Sequence, residues 1–230
     1  MDSLGLIVVL GILLVFGLIV FWMFTSARKE IDRKRQMAQT LGFSSIEPDP
    51  ALTAVISQVY PSAKSKPCYE LRHVTHKILD NGKMVLFDLV ETSGEDNSYP
   101  EEQAVAVISA RLDLPPFTLF PKADTEGWLT NLANQALTWA VSKVGTPVEF
   151  PEVPEFQRRY MVTSADPDAT RRFLTEDILR RLAQTRLCTL HAGGQVFTFS
   201  ELNPSRKALT IEMLHERVRQ AADIFQTFQG

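Results

Sequence analysis

The residues of this chain able to do chemistry are its histidines, carboxylates, cysteines and paired arginines, and none of them falls into a catalytic spacing. His73 and His76 are three apart in a strand-like stretch, so they face opposite sides and cannot share a metal without a bulge. His215-Glu216 begins like a zincin motif, but Arg219 stands where the second histidine must be. Cys68 and Cys188 have neither disulfide-framework nor zinc spacing and read as small buried residues of a reducing compartment. Glu91, Glu95, Asp96, Glu101 and Glu102 form an acidic stretch that matches no calcium loop and reads as a solvated connection. Phosphate-binding, dinucleotide-binding and nucleophile-elbow glycine motifs are absent from the sequence. The expectation is therefore no catalytic residue, no metal and no cofactor.

The basic residues are better organised. Arg158 and Arg159, Arg171 and Arg172, and Arg180 and Arg181 form three pairs suited to an acidic partner or anionic lipid head groups. On a helix, Arg172 lies four residues from both Asp168 and Glu176, which gives it a purely intrahelical role as well. A second group, Arg28, Lys29, Arg33, Lys34 and Arg35, forms a basic collar that suits a membrane surface. The net charge is −3, and the region after the collar is acidic, which argues against a nucleic-acid partner.

The collar follows residues 4–25, an apolar run without a charge. About 22 helical residues reach about 33 Å, enough for a hydrocarbon core of about 30 Å. The run predicts a single-pass transmembrane anchor in the inner (plasma) membrane. The collar on its C-terminal side places the N-terminus outside and the domain in the cytoplasm. A cleaved signal peptide ending at Thr25-Ser26-Ala27 fits less well, because no Lys or Arg precedes the run. Gly5, Gly11 and Gly17 form no GxxxG, so the span reads as a tether and not as a dimer seam.

The elements behind the anchor follow from local signals. Residues 26–41 continue as a charged helical stalk, and Gly42 offers a left-handed stop. Asp49-Pro50 and Asp166-Pro167 read as helix N-caps with first-turn prolines. Asp80-Asn81-Gly82-Lys83 predicts a hairpin with a type I′ turn, and Gly193-Gly194 marks a second hairpin. Residues 104–112 read as a strand covered on both sides, and 117–120 as a short edge strand after Pro115-Pro116. Helices are expected over 126–144, over 166–183 with a bend at Thr175, and from Asn203-Pro204 onward. In the last of these Ile211, Leu214, Val218, Ala221, Phe225 and Phe228 form the apolar stripe. The domain division is 1–27 anchor, 28–47 stalk and linker, 48–146 first unit, 147–157 proline-rich connector and 158–230 second unit. The fold class is α+β: a transmembrane helix followed by an antiparallel-sheet cytoplasmic domain. Because the Asp-Pro caps precede the turn glycines by about 30 residues in both halves, the pattern admits two similar helix-hairpin-helix units.

The Asp166-Pro167 cap, the turn at Leu174-Thr175, the glycine hairpin, the closing helix and the preceding segment 148–160 carry a likeness. With them, residues 36–228 resemble a loose group of uncharacterised bacterial single-pass membrane proteins with a cytosolic domain of unknown function. That resemblance implies no activity and supplies no catalytic residues. The sequence reading is a membrane-tethered cytoplasmic interaction or scaffold protein with a protein partner at the membrane. The alternatives are an anionic-lipid surface sensor, and an enzyme or small-ligand binder with a site drawn from distant residues, first among them Glu91, Glu101, His73 and His76.

Overall fold

The computed structural model describes residues 16, 21–22, 25, 28–60, 69–91, 102–122, 145–201 and 209–229. Helix α1, described over residues 28–40, ends as its sequence demands. Gly42 takes φ +82°, its N–H donates to Gln39 O, and the Phe43 N–H donates to Ala38 O. This is the paired 6→1 and 5→2 closure that a left-handed glycine makes available. It turns Phe43 back into the core, where it is 2% exposed.

Helices α2 (Pro50–Ser57), α3 (Pro154–Arg159), α4 (Pro167–Phe173), α5 (Glu176–Gln184) and α6 (Ile211–Gln229) follow. Asp49 caps α2 by accepting from the Leu52 N–H, and Asp166 caps α4 by accepting from the Ala169 N–H. Thr175 does more than bend a helix. Its hydroxyl caps α5 as a separate element, accepting from the Ile178 N–H.

The strands are β1 (Ser44–Ser45), β2 (Tyr69–Leu79), β3 (Gly82–Glu91), β4 (Glu102–Ile108), β5 (Leu114–Pro121), β6 (Thr146–Val148), β7 (Tyr160–Ser164), β8 (Cys188–Gly194) and β9 (Val196–Glu201). They form one antiparallel sheet in the order β1-β2-β3-β4-β9-β8-β5-β7-β6. Alternation along the strands sorts side chains between two faces. Met84, Leu86, Val105, Val107, Leu190, Phe197 and Phe199 join the larger core, with Leu179 and Leu182 of α5 and Leu214, Ala221, Ile224 and Phe228 of α6. Val85, Phe87, Ala104, Ala106 and Val196 point the other way, under Leu52 and Ile56 of α2 and the adjoining Val59.

This architecture corrects the expected fold class. The second hairpin, β8–β9, inserts between β4 and β5, so there is one continuous sheet with six helices among the described residues, and not a span followed by a small domain of one or two units. Strands β4 and β5 would otherwise each present a row of unpaired N–H and C=O groups, and the hairpin satisfies both rows at once. No helix among the described residues is long and apolar enough to cross a membrane. Of the run 4–25, only Phe16, Phe21, Trp22 and Thr25 are described. The expected transmembrane helix, the single-pass membrane character and the N-out inner-membrane placement with a cytoplasmic domain all rested on that run. They are withdrawn with it. The expected helix 126–144 and the acidic connection 92–101 also lie outside the described residues.

Smaller differences have local causes. Strand β5 is interior, between β8 and β7, because Pro115 and Pro116 sit where the β5·β8 register shifts between Leu114 and Phe117. A bulge is the place in a sheet where a missing N–H does least harm. The first hairpin turns on Asp80 and Asn81 with Leu79 opposite Gly82, and no positive φ occurs at either turn residue, so it is not type I′. Gly82 is needed for another reason: a Cβ there would collide with the Ile108 carbonyl oxygen of β4. Gly82→Ala is expected to destabilise the fold by about 2 kcal/mol, as overpacking against backbone does. A urea-unfolding midpoint equal to wild type would contradict this.

Candidate functional site

Strand order aligns a polar row that no single segment announces. Thr198 of β9 pairs with His191 of β8, His191 with Thr118 of β5, and Thr118 with Thr163 of β7. Directly paired residues share a face, so these four side chains stand in line on the α2 side of the sheet. All four are buried, yet Thr163 Oγ1 and Thr198 Oγ1 have no hydrogen-bond partner among the described residues. His191 Nδ1 lies 3.2 Å from Thr118 Oγ1, and its ring packs 4.7 Å from Tyr60 and edge-on to Phe120 at 6.0 Å. Burial pushes the imidazole pKa down to about 3, so the ring is neutral at pH 7.

Beside this row opens a groove of about 480 Å³. One wall is the end of the α2 segment, Gln58, Val59 and Tyr60; the other is Pro116, Phe117, Thr118, Ala165, Ala192, Gly193 and Gly194. The α2 helix stops at Ser57, and Tyr60 beyond it packs over His191. None of the described lining residues is charged. Aromatic, proline and alanine surfaces, with the hydroxyls of Tyr60 and Thr118 and the Gln58 amide as the polar groups, suit an apolar or weakly polar guest, and the volume falls in the usual ligand range of about 300–1,000 Å³.

A second constellation lies on the opposite face. Asp88, 1% exposed, points from β3 toward α1, where its Oδ2 accepts from Lys34 Nζ at 3.0 Å. The same oxygen lies 2.8 Å from His73 Nδ1. His73 reaches it through the bulge that shifts the β2·β3 register between Arg72 and Thr75, and its φ of 51° lies in the left-handed region. That is a strained position for a residue with a Cβ. A cavity of about 230 Å³ adjoins this triad under α1, lined by Ile31, Lys34, Arg35, Ala38, Ile46, Glu47, Pro48, His73, Val74, Thr75, Leu86, Gln103 and Leu214.

The sequence-derived candidates divide. His73 and His76 do not come together on a shared partner: His73 joins Asp88, whereas His76 Nδ1 is buried with no hydrogen-bond partner among the described residues. Glu101 lies outside the described residues, and of Glu91 only the backbone at the end of β3 is described. His215 is exposed on α6. Cys188 is buried, with its thiol pushed up to about 12 by desolvation, which makes it inert as a nucleophile. Cys68 is outside the described residues. No group of three or more potential metal ligands occurs among the described residues.

Of the collar, Arg28, Lys29, Arg33 and Arg35 are exposed, and Lys34 is the member drawn inward to Asp88. The arginine pairs have separate duties. Arg159 donates to Ala183 O and Thr185 O at the end of α5, closing that helix. Arg180 pairs with Glu176 at 3.2 Å, Arg171 lies over the Phe150 ring at 5.8 Å, and Arg158 donates to Pro154 O. Arg172 and Arg181 are exposed. The apolar stripe on α6 runs beside three buried polar residues that periodicity passed over, Arg217, Gln220 and Thr227. Arg217 donates to Gln103 Oε1 at 2.9 Å and lies 3.7 Å from Glu201, and Gln220 donates to Arg186 O.

Comparison with known proteins finds no matching family model and no matching curated protein. Among solved structures the fold is similar to the mycobacterial trehalose monomycolate transport factor A, TtfA. The TM-score is 0.52 at 12% identity, with 88% of this chain and 96% of that chain covered. At that identity the likeness concerns the fold.

Proposed function

We propose that this protein serves lipid transport as a non-enzymatic factor, holding an apolar lipid segment in the groove beside His191 and working with a protein partner. The observation that carries the reading is the groove itself: about 480 Å³, with no charge among its described lining residues and a neutral imidazole behind it. A charged wall would oppose an acyl chain through the cost of desolvating it, and this wall has no such cost to overcome. The likeness to a trehalose monomycolate transport factor points in the same direction.

Ala165 supplies the test, because it is exposed and lines the groove without entering the core. The wild-type chain is expected to bind the uncharged fluorophore N-phenyl-1-naphthylamine and to release it to monoacylglycerol. Ala165→Trp, which fills the groove from its rim, is expected to weaken fluorophore binding by about tenfold, roughly 1.4 kcal/mol, with the unfolding midpoint unchanged. Equal binding by the variant would remove the groove from the proposal.

A further inference from the structure

The cavity under α1 is chemically unlike the groove. Its polar wall holds Lys34, His73, Thr75 and Gln103, and its apolar floor includes Leu86 and Leu214. Thr75 is 4% exposed, stands opposite Leu86 in the β2·β3 register and so shares its face, and its Oγ1 has no hydrogen-bond partner among the described residues. A buried hydroxyl left unpaired destabilises the fold, and a guest that reaches it recovers that cost.

The charges around the cavity are balanced. Lys34 is answered by Asp88 at 3.0 Å, and at the rim exposed Arg35 is offset by exposed Glu47. A net anion would have to compete with Asp88 for the ammonium. The hydrogen-bonding groups are mixed. Lys34 and Gln103 supply donors, the Gln103 carbonyl oxygen being already taken by Arg217, and Thr75 both donates and accepts. Balanced charge, mixed donors and acceptors, and an apolar floor together match one chemistry, a neutral ring or short chain carrying hydroxyls. At about 230 Å³, the space is below the usual range for larger ligands, about 300–1,000 Å³. It suits a single small unit.

We infer that the cavity between α1 and the β2 bulge binds one neutral polyhydroxylated unit, a free sugar or the sugar head of a lipid, through Thr75, Lys34 and Gln103. The inference deepens the lipid-transport reading where the hydroxyls belong to a lipid, and its fate is separable from that of the groove, which Ala165→Trp reports.

The experiment is an amide NMR titration of the full chain with glucose, octyl glucoside and acetate, on wild type and on Thr75→Val. Val keeps the shape of Thr and removes only the unpaired hydroxyl, so the variant is expected to unfold at the same or a higher temperature than wild type. Glucose is expected to shift the amides around His73 and Thr75 of wild type, with affinity lowered about tenfold or more in the variant. The same pattern with octyl glucoside alone assigns the unit to a lipid head group, and with both ligands to the sugar itself. Equal affinity in the two proteins, no shift with either sugar, or the same shifts with acetate in place of glucose would each overturn the inference.

Discussion

Asp88→Ala is expected to cost the fold about 3 kcal/mol. The carboxylate is buried and holds two basic groups, Lys34 and His73, on one oxygen. Removing the acidic member leaves Lys34 facing a wall with no counter-charge, and breaking a buried pair in this way costs about 3–5 kcal/mol. The lower end applies because the Lys34 and His73 side chains remain 20% and 28% exposed, so water can reach both. The loss is expected to be local in its first stage. Lys34 is one polar bond of α1 to the sheet, and Lys77 of β2, donating to Leu41 O at the helix end, is another; Ala38 and Phe43 supply apolar contacts. Amide exchange over residues 34–41 should therefore quicken more than exchange in β3 and β4. Lys34→Met is the control. It keeps the stem packing and leaves Asp88 with His73, so it is expected to cost less than Asp88→Ala. A double-mutant cycle should give a coupling of at least about 1 kcal/mol between the two positions. Purely additive effects would show that the Lys34–Asp88 pair does not hold α1 to the sheet.

Only one member of that triad leaves a signal in the sequence. Asp88 alternates with Met84 and Leu86, and a carboxylate in step with two core residues demands a partner. The partner, Lys34, stands 54 positions earlier, inside a collar whose charge pattern reads as one surface. His73 was out of reach for a different reason. Its side chain meets Asp88 only because a bulge shifts the strand, and a bulge leaves no mark when the residue in it is not glycine. The helix ends were legible because their chemistry closes within a few residues, as with Gly42, Asp49, Asp166 and Thr175. The strand order was not, since nothing local says that β9 will pair with β4. The groove depended on that order. Thr198, His191, Thr118 and Thr163 each sit in a different strand, and alone each is an unremarked polar residue in an alternating pattern.

His191 makes the strongest pH prediction, because the fold accepts only its neutral form. The folded pKa is about 3, against the ordinary 6.5, and the cause is burial with no compensating carboxylate. Between those values the unfolded chain binds the proton and the folded chain does not, so stability falls as pH falls. The contribution is complete above pH 6.5. It should lose roughly 2 kcal/mol by about pH 5 and at most about 5 kcal/mol by the time the folded-state pKa is reached. His191→Gln keeps a group able to bond Thr118 and cannot take up a proton in this range. At neutral pH it is expected to be less stable than wild type by about 1–2 kcal/mol, through loss of the ring contacts with Tyr60 and Phe120. As pH drops the wild type alone loses this contribution, so the two stability curves converge and cross near about pH 5. Subtracting the curves cancels His73, His76 and His215, which both proteins share. Parallel curves from neutral pH down would mean that His191 is protonated in the folded state, and hence that water reaches the polar row through the groove.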